Sequence, residues 1–272
     1  MIQSPVLLIV GLGFLTLALF SYSHHLLRKL GGVSLLITTY AALAYTTGSP
    51  SIGVAGALLW FFLPWFELLT RVRNLRIPLE KKLRRKSPPD EESFPNLEDI
   101  SQEIEADGFH FVQDSGWDFE NHSQFYRIYY HAKEQVQATI CMNEEDDMAF
   151  YYVAISSRRK DGTVLITWNY PFTYGMQLIP KISVNRIKSD VPFHYLMESH
   201  RQYLVETGTD IDVTKDLSPE EMEEFLLQDM REQIEHNLKN GIFTRVDEKN
   251  IRYTWKGLFF LWSQFLLDLV RL

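Results

Sequence analysis

A chain of 272 residues with 46% hydrophobic residues and a net charge of −8 has the overall composition of an ordinary globular protein. The average conceals two dissimilar parts, because residues 1–86 carry a net charge of +8 and residues 87–272 carry −16. Phosphate groups repel so acidic a region, and we therefore predict that the chain binds no nucleic acid. The single cysteine, Cys141, excludes an intramolecular disulfide and fits a reducing compartment.

Residues 1–70 are almost free of charge and are predicted to form a transmembrane anchor. The basic residues Arg28 and Lys29 follow the first apolar run instead of preceding it, which argues against a cleaved signal peptide. The next uncharged stretch is long enough for two short spans, and residues 48–51, with glycine and proline, separate them. The predicted spans are residues 5–24, 33–47 and 51–70.

Lysine and arginine are distributed unevenly around these spans. The loop after the first span and the segment after the third span are basic, whereas the opposite ends carry no positive residue. Because positive residues stay on the cytoplasmic side, we predict an integral protein of the inner or plasma membrane with its N-terminus outside. Everything beyond residue 70 would then be cytoplasmic. Eight basic residues are predicted to contact anionic membrane lipid: Arg71, Arg73, Arg76, Lys81, Lys82, Arg84, Arg85 and Lys86.

Residues 71–95 are predicted to be a basic juxtamembrane segment and linker, and residues 96–250 a soluble acidic domain. A short helix is predicted at residues 97–106. Runs of aromatic and β-branched residues, joined by short connections, then predict an antiparallel β-meander. Residues 176–187 are a further candidate strand, interrupted by Pro180. The predicted strands of the meander are residues 109–113, 124–132, 135–142, 148–157 and 163–170.

Two helices are predicted to close the domain and to cover one face of the sheet. The first begins at Asp190 and runs to Glu206. The second begins at the capping box of Ser218 and Glu221 and runs to Lys239. The predicted fold class is therefore a membrane-anchored α+β protein, with three N-terminal transmembrane helices followed by a cytoplasmic antiparallel β-meander packed with helices.

Residues 251–272 are predicted to form an apolar, amphipathic C-terminal helix. Its polar residues Gln264, Asp268 and Arg271 fall on one narrow stripe of the helix. This pattern favours a helix that lies in the membrane interface or packs on the anchor. A fourth span and a buried helix of the soluble domain are the alternatives.

The search for chemistry finds no nucleophile elbow, no phosphate-binding loop and no complete metal-ligand pattern. His194 and Glu198 have the i, i+4 spacing of two metal ligands, but no third ligand accompanies them. An aromatic cluster at residues 168–172 is a candidate binding cleft near that helix. We predict no cofactor and no metal, and the candidate ligand cleft consists of Trp168, Asn169, Tyr170, His194, Glu198 and His200.

The function predicted from the sequence is that of a non-catalytic accessory or scaffold subunit. Its cytoplasmic α+β domain would engage a partner protein at the membrane. One alternative is a membrane-tethered sensor that binds a small ligand near Trp168 and His194. The other is a hydrolase with a metal site around His194, Glu198 and His200.

Overall fold

The computed structural model describes residues 3–22, 24–120, 122–145, 148–172, 174–187 and 191–271. Its helices are α1 (Gln3–Ser21), α2 (His25–Thr47), α3 (Pro50–Thr70), α4 (Leu97–Ala106), α5 (Phe193–Glu206), α6 (Pro219–Lys239) and α7 (Trp255–Arg271), with short 3-10 helices at Val72–Asn74 and Ile211–Val213. Its strands are β1 (Ile77–Pro78), β2 (Arg84–Arg85), β3 (His110–Phe119), β4 (His122–His131), β5 (Val136–Glu145), β6 (Met148–Arg158), β7 (Val164–Trp168), β8 (Ile182–Arg186), β9 (Phe243–Arg245) and β10 (Asn250–Tyr253).

The described residues divide into two units. The helical unit comprises Met1–Leu75 and Tyr253–Leu272, and the sheet unit is Arg76–Arg252. The chain therefore leaves the helical unit after α3 and returns to it in α7. The sheet unit combines helices with β-sheets, which confirms the predicted α+β class.

Two helices of the helical unit are long and apolar enough to cross a membrane. These stretches are Leu26–Thr47 and Pro50–Asn74, and the apolar stretch Pro5–Ser21 of α1 is shorter. The break between α2 and α3 lies where the sequence predicts it, since Gly48 ends α2 in the left-handed conformation (φ 69°) and Pro50 begins α3.

The start of α2 differs from the prediction. The helix begins at His25 and continues through Gly31 and Gly32, whereas the sequence predicted a span from residue 33. A Cβ atom on Gly31 would lie 3.3 Å from Leu19 Cβ and 3.3 Å from the Phe20 ring. The glycine thus permits close packing of α1 on α2 and does not interrupt the helix.

The main sheet of the sheet unit has seven strands in the order β2-β3-β4-β5-β6-β7-β8. All neighbouring pairs from β2 to β7 are antiparallel, as the meander predicts, but β8 lies parallel to β7. The antiparallel meander therefore ends at β7, and the candidate strand at residues 176–187 contributes β8 in a parallel arrangement. The chain between β7 and β8 crosses back along the sheet before it pairs again, which a parallel neighbour requires.

The segment predicted as a linker is part of the sheet unit. In a three-stranded sheet, β1 pairs with β10, with Ile77 opposite Ile251, and β2 forms the edge of the main sheet. Phe94 is only 4% exposed and belongs to the core under α4. Residues 76–95 therefore do not act as a free linker, because their backbone and side chains complete the fold.

Helices cover both faces of the main sheet, and the prediction of a single covered face is wrong. On one face α4 and α5 pack over Ala138 and Ile140 of β5. On the other face Met222 of α6 packs in a cluster with Cys141, which is 5% exposed. The predicted helix start at Asp190 lies outside the described residues.

The C-terminal helix α7 packs against α3 within the helical unit. The Trp262 indole N–H donates to the Phe61 carbonyl oxygen at 2.9 Å. The ring of Trp65 lies 4.8 Å from that of Phe259 and 6.0 Å from that of Trp262. Pro64 has no N–H to donate to the Trp60 carbonyl oxygen, so the hydrogen-bond ladder of α3 is interrupted one residue before Phe61.

Candidate functional site

A cavity of about 350 Å³ lies inside the sheet unit, between the main sheet and α6. Side chains alternate along each strand, and every second residue of β4, β5, β6 and β7 therefore points to this face. Tyr126, Cys141 and Tyr152 are opposite one another on β4, β5 and β6, and Trp168 is opposite Ala154 on the next pair. All five residues line the cavity.

One wall of the cavity consists of four aromatic side chains, which we call the aromatic wall: Tyr152, Trp168, Tyr170 and Tyr174. The ring centroid of Trp168 lies 6.0 Å from that of Tyr152, 5.5 Å from that of Tyr170 and 6.1 Å from that of Tyr174. The indole Nε1 of Trp168 is buried and has no hydrogen-bond partner among the described residues. The aromatic wall consists of one indole ring and three phenol rings.

The opposite end of the cavity holds a satisfied hydrogen-bond network. The Gln124 carbonyl oxygen accepts from Trp117 Nε1 at 2.6 Å and from the Tyr126 hydroxyl at 2.5 Å. The Gln124 amide donates to the side-chain oxygen of Asn143. These groups fix one another, so the polar end of the cavity is preorganised.

Burial controls the acidity of the groups that line the cavity. Desolvation raises the pKa of the Cys141 thiol to about 12 and raises the pKa of Tyr126 and Tyr152 above the ordinary tyrosine value. All three groups remain protonated at neutral pH. A thiol with so high a pKa is a poor nucleophile.

Two cations line the cavity in different ways. Arg158 forms an ion pair with Asp229 of α6 and lies over the Phe225 ring at 4.4 Å, and Lys181 also contacts Asp229 at 3.0 Å. Lys81 instead places its ammonium group 4.6 Å from the centroid of the Trp117 ring. Desolvation lowers the pKa of Lys81 to about 8. Among the described residues no carboxylate forms an ion pair with it.

Lys81 was one of the eight basic residues predicted to contact lipid, but in the structure it lines the cavity. Lys86 is also engaged, with its ammonium group 2.5 Å from Asp118 and 2.6 Å from Ser123 Oγ. In the helical unit Arg73 lies over the Trp255 ring at 4.6 Å. The remaining five are exposed: Arg71, Arg76, Lys82, Arg84 and Arg85.

The structure does not bring the six residues of the predicted cleft together. Trp168 and Tyr170 line the cavity. His200 lies on the opposite face of the sheet, completely buried, with its ring nitrogens 3.0 Å from Ser157 Oγ and 2.9 Å from Thr167 Oγ1. Burial lowers the pKa of His200 to about 4, so the ring is neutral at physiological pH.

The other three residues of the predicted cleft have surface or structural positions. His194 and Glu198 are exposed on α5, and Glu198 lies 3.7 Å from Arg201. The Asn169 side chain accepts a hydrogen bond from the Val153 N–H at 2.7 Å and fastens the end of β7 to β6. Within the described part of the chain no three metal-ligating side chains come together.

The titratable groups of the cavity lining are few. Its described lining contains no histidine, and its carboxylate, Asp229, is held by Arg158 and Lys181. The sequence signal that could have revealed it is the polar register of β5, where Gln137, Thr139 and Cys141 alternate with the apolar core residues. Comparison of the chain with protein-family models, curated proteins and solved structures finds no match.

Proposed function

We propose that the chain is a membrane-anchored, non-catalytic binding protein whose α+β domain takes up a small ligand in the cavity between the main sheet and α6. The observation that carries this proposal is the cavity with its aromatic wall and its preorganised Gln124 network. A cavity of about 350 Å³ is within the ordinary size range of small-molecule sites, roughly 300–1,000 Å³.

The ordered lining distinguishes this cavity from a simple packing defect. The hydrogen bonds around Gln124 and the ion pair of Arg158 with Asp229 hold the surrounding side chains in place. A ligand would therefore meet a largely preformed site.

The anchor part of the proposal depends on the helical unit. The apolar stretches in α2 and α3 support membrane insertion, and α1 supplies a third apolar helix. We propose three spans with the N-terminus outside and the sheet unit in the cytoplasm, because the lysine and arginine residues cluster on one side. The exposed residues Arg71, Arg76 and Lys82 are suited to contact anionic lipid.

The accessory role predicted from the sequence is compatible with ligand binding. Ligand occupancy can change the affinity of the sheet unit for a partner protein, and such a chain would be an accessory subunit that responds to a small molecule. The metal-hydrolase alternative has no support from the geometry, because His194 and Glu198 are exposed and His200 is hydrogen-bonded on the other face.

The substitution Ala154→Phe tests the proposal. Ala154 faces the cavity, and a phenyl ring there would occupy ligand space without forcing a packed core apart. We expect a compound at 100 times its Kd to add about 2.7 kcal/mol to the stability of the full-length chain in lipid nanodiscs, a rise in Tm of roughly 5–10 °C. The same compound should leave the Tm of the variant unchanged.

Ala138→Phe is the matched comparison, because Ala138 is fully buried on the packed face of the neighbouring strand. Overpacking there should lower stability by about 1–3 kcal/mol, whereas Ala154→Phe should cost clearly less. An equal loss of stability in the two variants would show that no open space lies next to Ala154. A screen in which every stabilising compound acts equally on the wild type and on Ala154→Phe would contradict the proposal.

A further inference from the structure

The charges at the cavity are arranged so that one of them remains uncompensated. Arg158, Asp229 and Lys181 neutralise one another through short contacts, and Glu232 lies 2.7 Å from Lys181. Lys81 contacts the Trp117 ring and forms no ion pair with any described carboxylate. A partly desolvated ammonium group without a counter-ion is a recognition element for an anion.

Lys81 and Trp168 are at opposite ends of the cavity. Lys81 packs on Trp117 of β3, next to the Gln124 network on β4, whereas Trp168 is on β7. Three strand spacings of about 4.8 Å separate β4 from β7, so the cavity crosses about 14 Å of sheet. Between the two ends the lining is mostly apolar, with Met222, Leu226 and Met230 from α6.

We propose that the ligand is an elongated, single-chain organic carboxylate. This inference rests on the proposed function of the cavity. The carboxylate pairs with the Lys81 ammonium group, and the apolar chain lies along α6 toward the aromatic wall. The volume of the cavity is too small for a lipid with two acyl chains, which leaves a soluble molecule with one chain.

The depressed pKa of Lys81 agrees with this arrangement. Its value of about 8 means that desolvation opposes the charged form in the empty protein. A carboxylate beside the ammonium group would offset that penalty, and the pair would be stabilised in a region where water is scarce. The hydrogen bond from the Trp117 indole N–H to Gln124 fixes the Trp117 ring, and this ring in turn positions the Lys81 ammonium group.

The test uses 10-hydroxydecanoate and its uncharged amide, 10-hydroxydecanamide, with the full-length chain in lipid nanodiscs. Saturation-transfer NMR titrations give both Kd values, and empty nanodiscs provide the blank. We expect the wild type to bind the acid at least tenfold more tightly than the amide. Lys81→Met should abolish this preference by weakening the acid alone. Lys82→Met, at the exposed neighbouring residue, should retain it. Unchanged binding of the amide by Lys81→Met shows that the variant is folded.

Equal binding of acid and amide by the wild type, or an unchanged preference in Lys81→Met, overturns the carboxylate inference. The proposed function survives that result if Ala154→Phe abolishes the binding of both probes. Failure of both probes to bind the wild type also overturns the inference, and the compound screen with Ala154→Phe then decides the function separately.

Discussion

His200 illustrates how a single buried side chain makes stability depend on pH. Its pKa is lowered from 6.5 to about 4 because the ring is desolvated between Ser157 and Thr167. Between these two values the unfolded chain binds a proton that the folded chain does not bind, so folding loses stability as the pH falls. The contribution is fully present above pH 6.5, and the loss reaches about 2 kcal/mol at pH 5.

We predict that His200→Gln has lower stability at pH 7 but a flatter pH profile. The variant should lose about 2 kcal/mol less than the wild type between pH 7 and pH 5, because it has no group to protonate. Chemical unfolding of the full-length chain at both pH values measures the difference. His194→Gln, at an exposed position of the same helix, should follow the wild type. Parallel profiles for the wild type and His200→Gln would contradict the low pKa.

The sequence identifies His200 as a residue on an apolar helix face, but it does not identify its partners. Ser157 and Thr167 are 43 and 33 residues away in the chain, and only the pairing of β6 with β7 brings them together. Lys81 presents the same difficulty. Its sequence neighbours are basic and predict a lipid contact, whereas its actual position depends on Trp117 in a strand 36 residues further on.

Among the elements, the contact of α2 with α3 allows a sharp test of helix packing. A Cβ atom on Gly53 would lie 2.8 Å from the Tyr40 carbonyl oxygen, which is a backbone atom and cannot turn away. We predict that Gly53→Ala destabilises the helical unit by about 1–3 kcal/mol, because the two helices must separate.

Gly11→Ala is the control for this substitution. Nothing lies within 4 Å of a Cβ atom at Gly11, so alanine there should be neutral or should stabilise α1 by up to about 1 kcal/mol. Unfolding of the full-length chain in mixed micelles reports both changes. Similar effects for the two alanine variants would show that α2 and α3 are not in close contact at Gly53.

At this scale the sequence predicts helix ends well where a local cap determines them. The capping box of Ser218 and Glu221 is present at the start of α6. The helix at 97–106 also has the predicted bounds, although the Asn96 side chain makes no capping hydrogen bond. Prediction from the sequence fails where tertiary packing decides the outcome. Gly31 is of a residue type that often ends a helix, but here it lies in the contact of α2 with α1. The parallel pairing of β8 depends on a crossover that no local sequence pattern indicates.

For the whole molecule, the basic and acidic parts of the sequence correspond approximately to the helical and sheet units. The two borders differ, because the charge changes sign after residue 86 whereas the sheet unit begins at Arg76. The predicted linker contributes β1, β2 and Phe94 to the sheet unit, because strand pairing and burial depend on residues that are distant in the chain. The cavity cannot be predicted from the sequence for the same reason. Its lining comes from β4 to β7 and from α6, and each of these elements has the pattern of an ordinary amphipathic strand or helix.

The last prediction concerns the orientation of the chain in the membrane. Positive residues resist translocation, and the basic residues after α3 should therefore remain in the cytoplasm. Ser49, between α2 and α3, would then face outside, and Ser87 would face inside. Neither side chain caps a helix or forms a described hydrogen bond, so each tolerates cysteine.

Single-cysteine variants Ser49→Cys and Ser87→Cys, in a Cys141→Ala background, are treated with a membrane-impermeant maleimide on intact cells. Removal of Cys141 excludes labelling of the native thiol, although its burial and its pKa of about 12 already make that thiol unreactive. We expect labelling at position 49 without permeabilisation of the cells and labelling at position 87 only after it. The reverse pattern would place the sheet unit and its ligand outside the cytoplasm. Labelling of both positions in intact cells would mean that α3 does not cross the membrane.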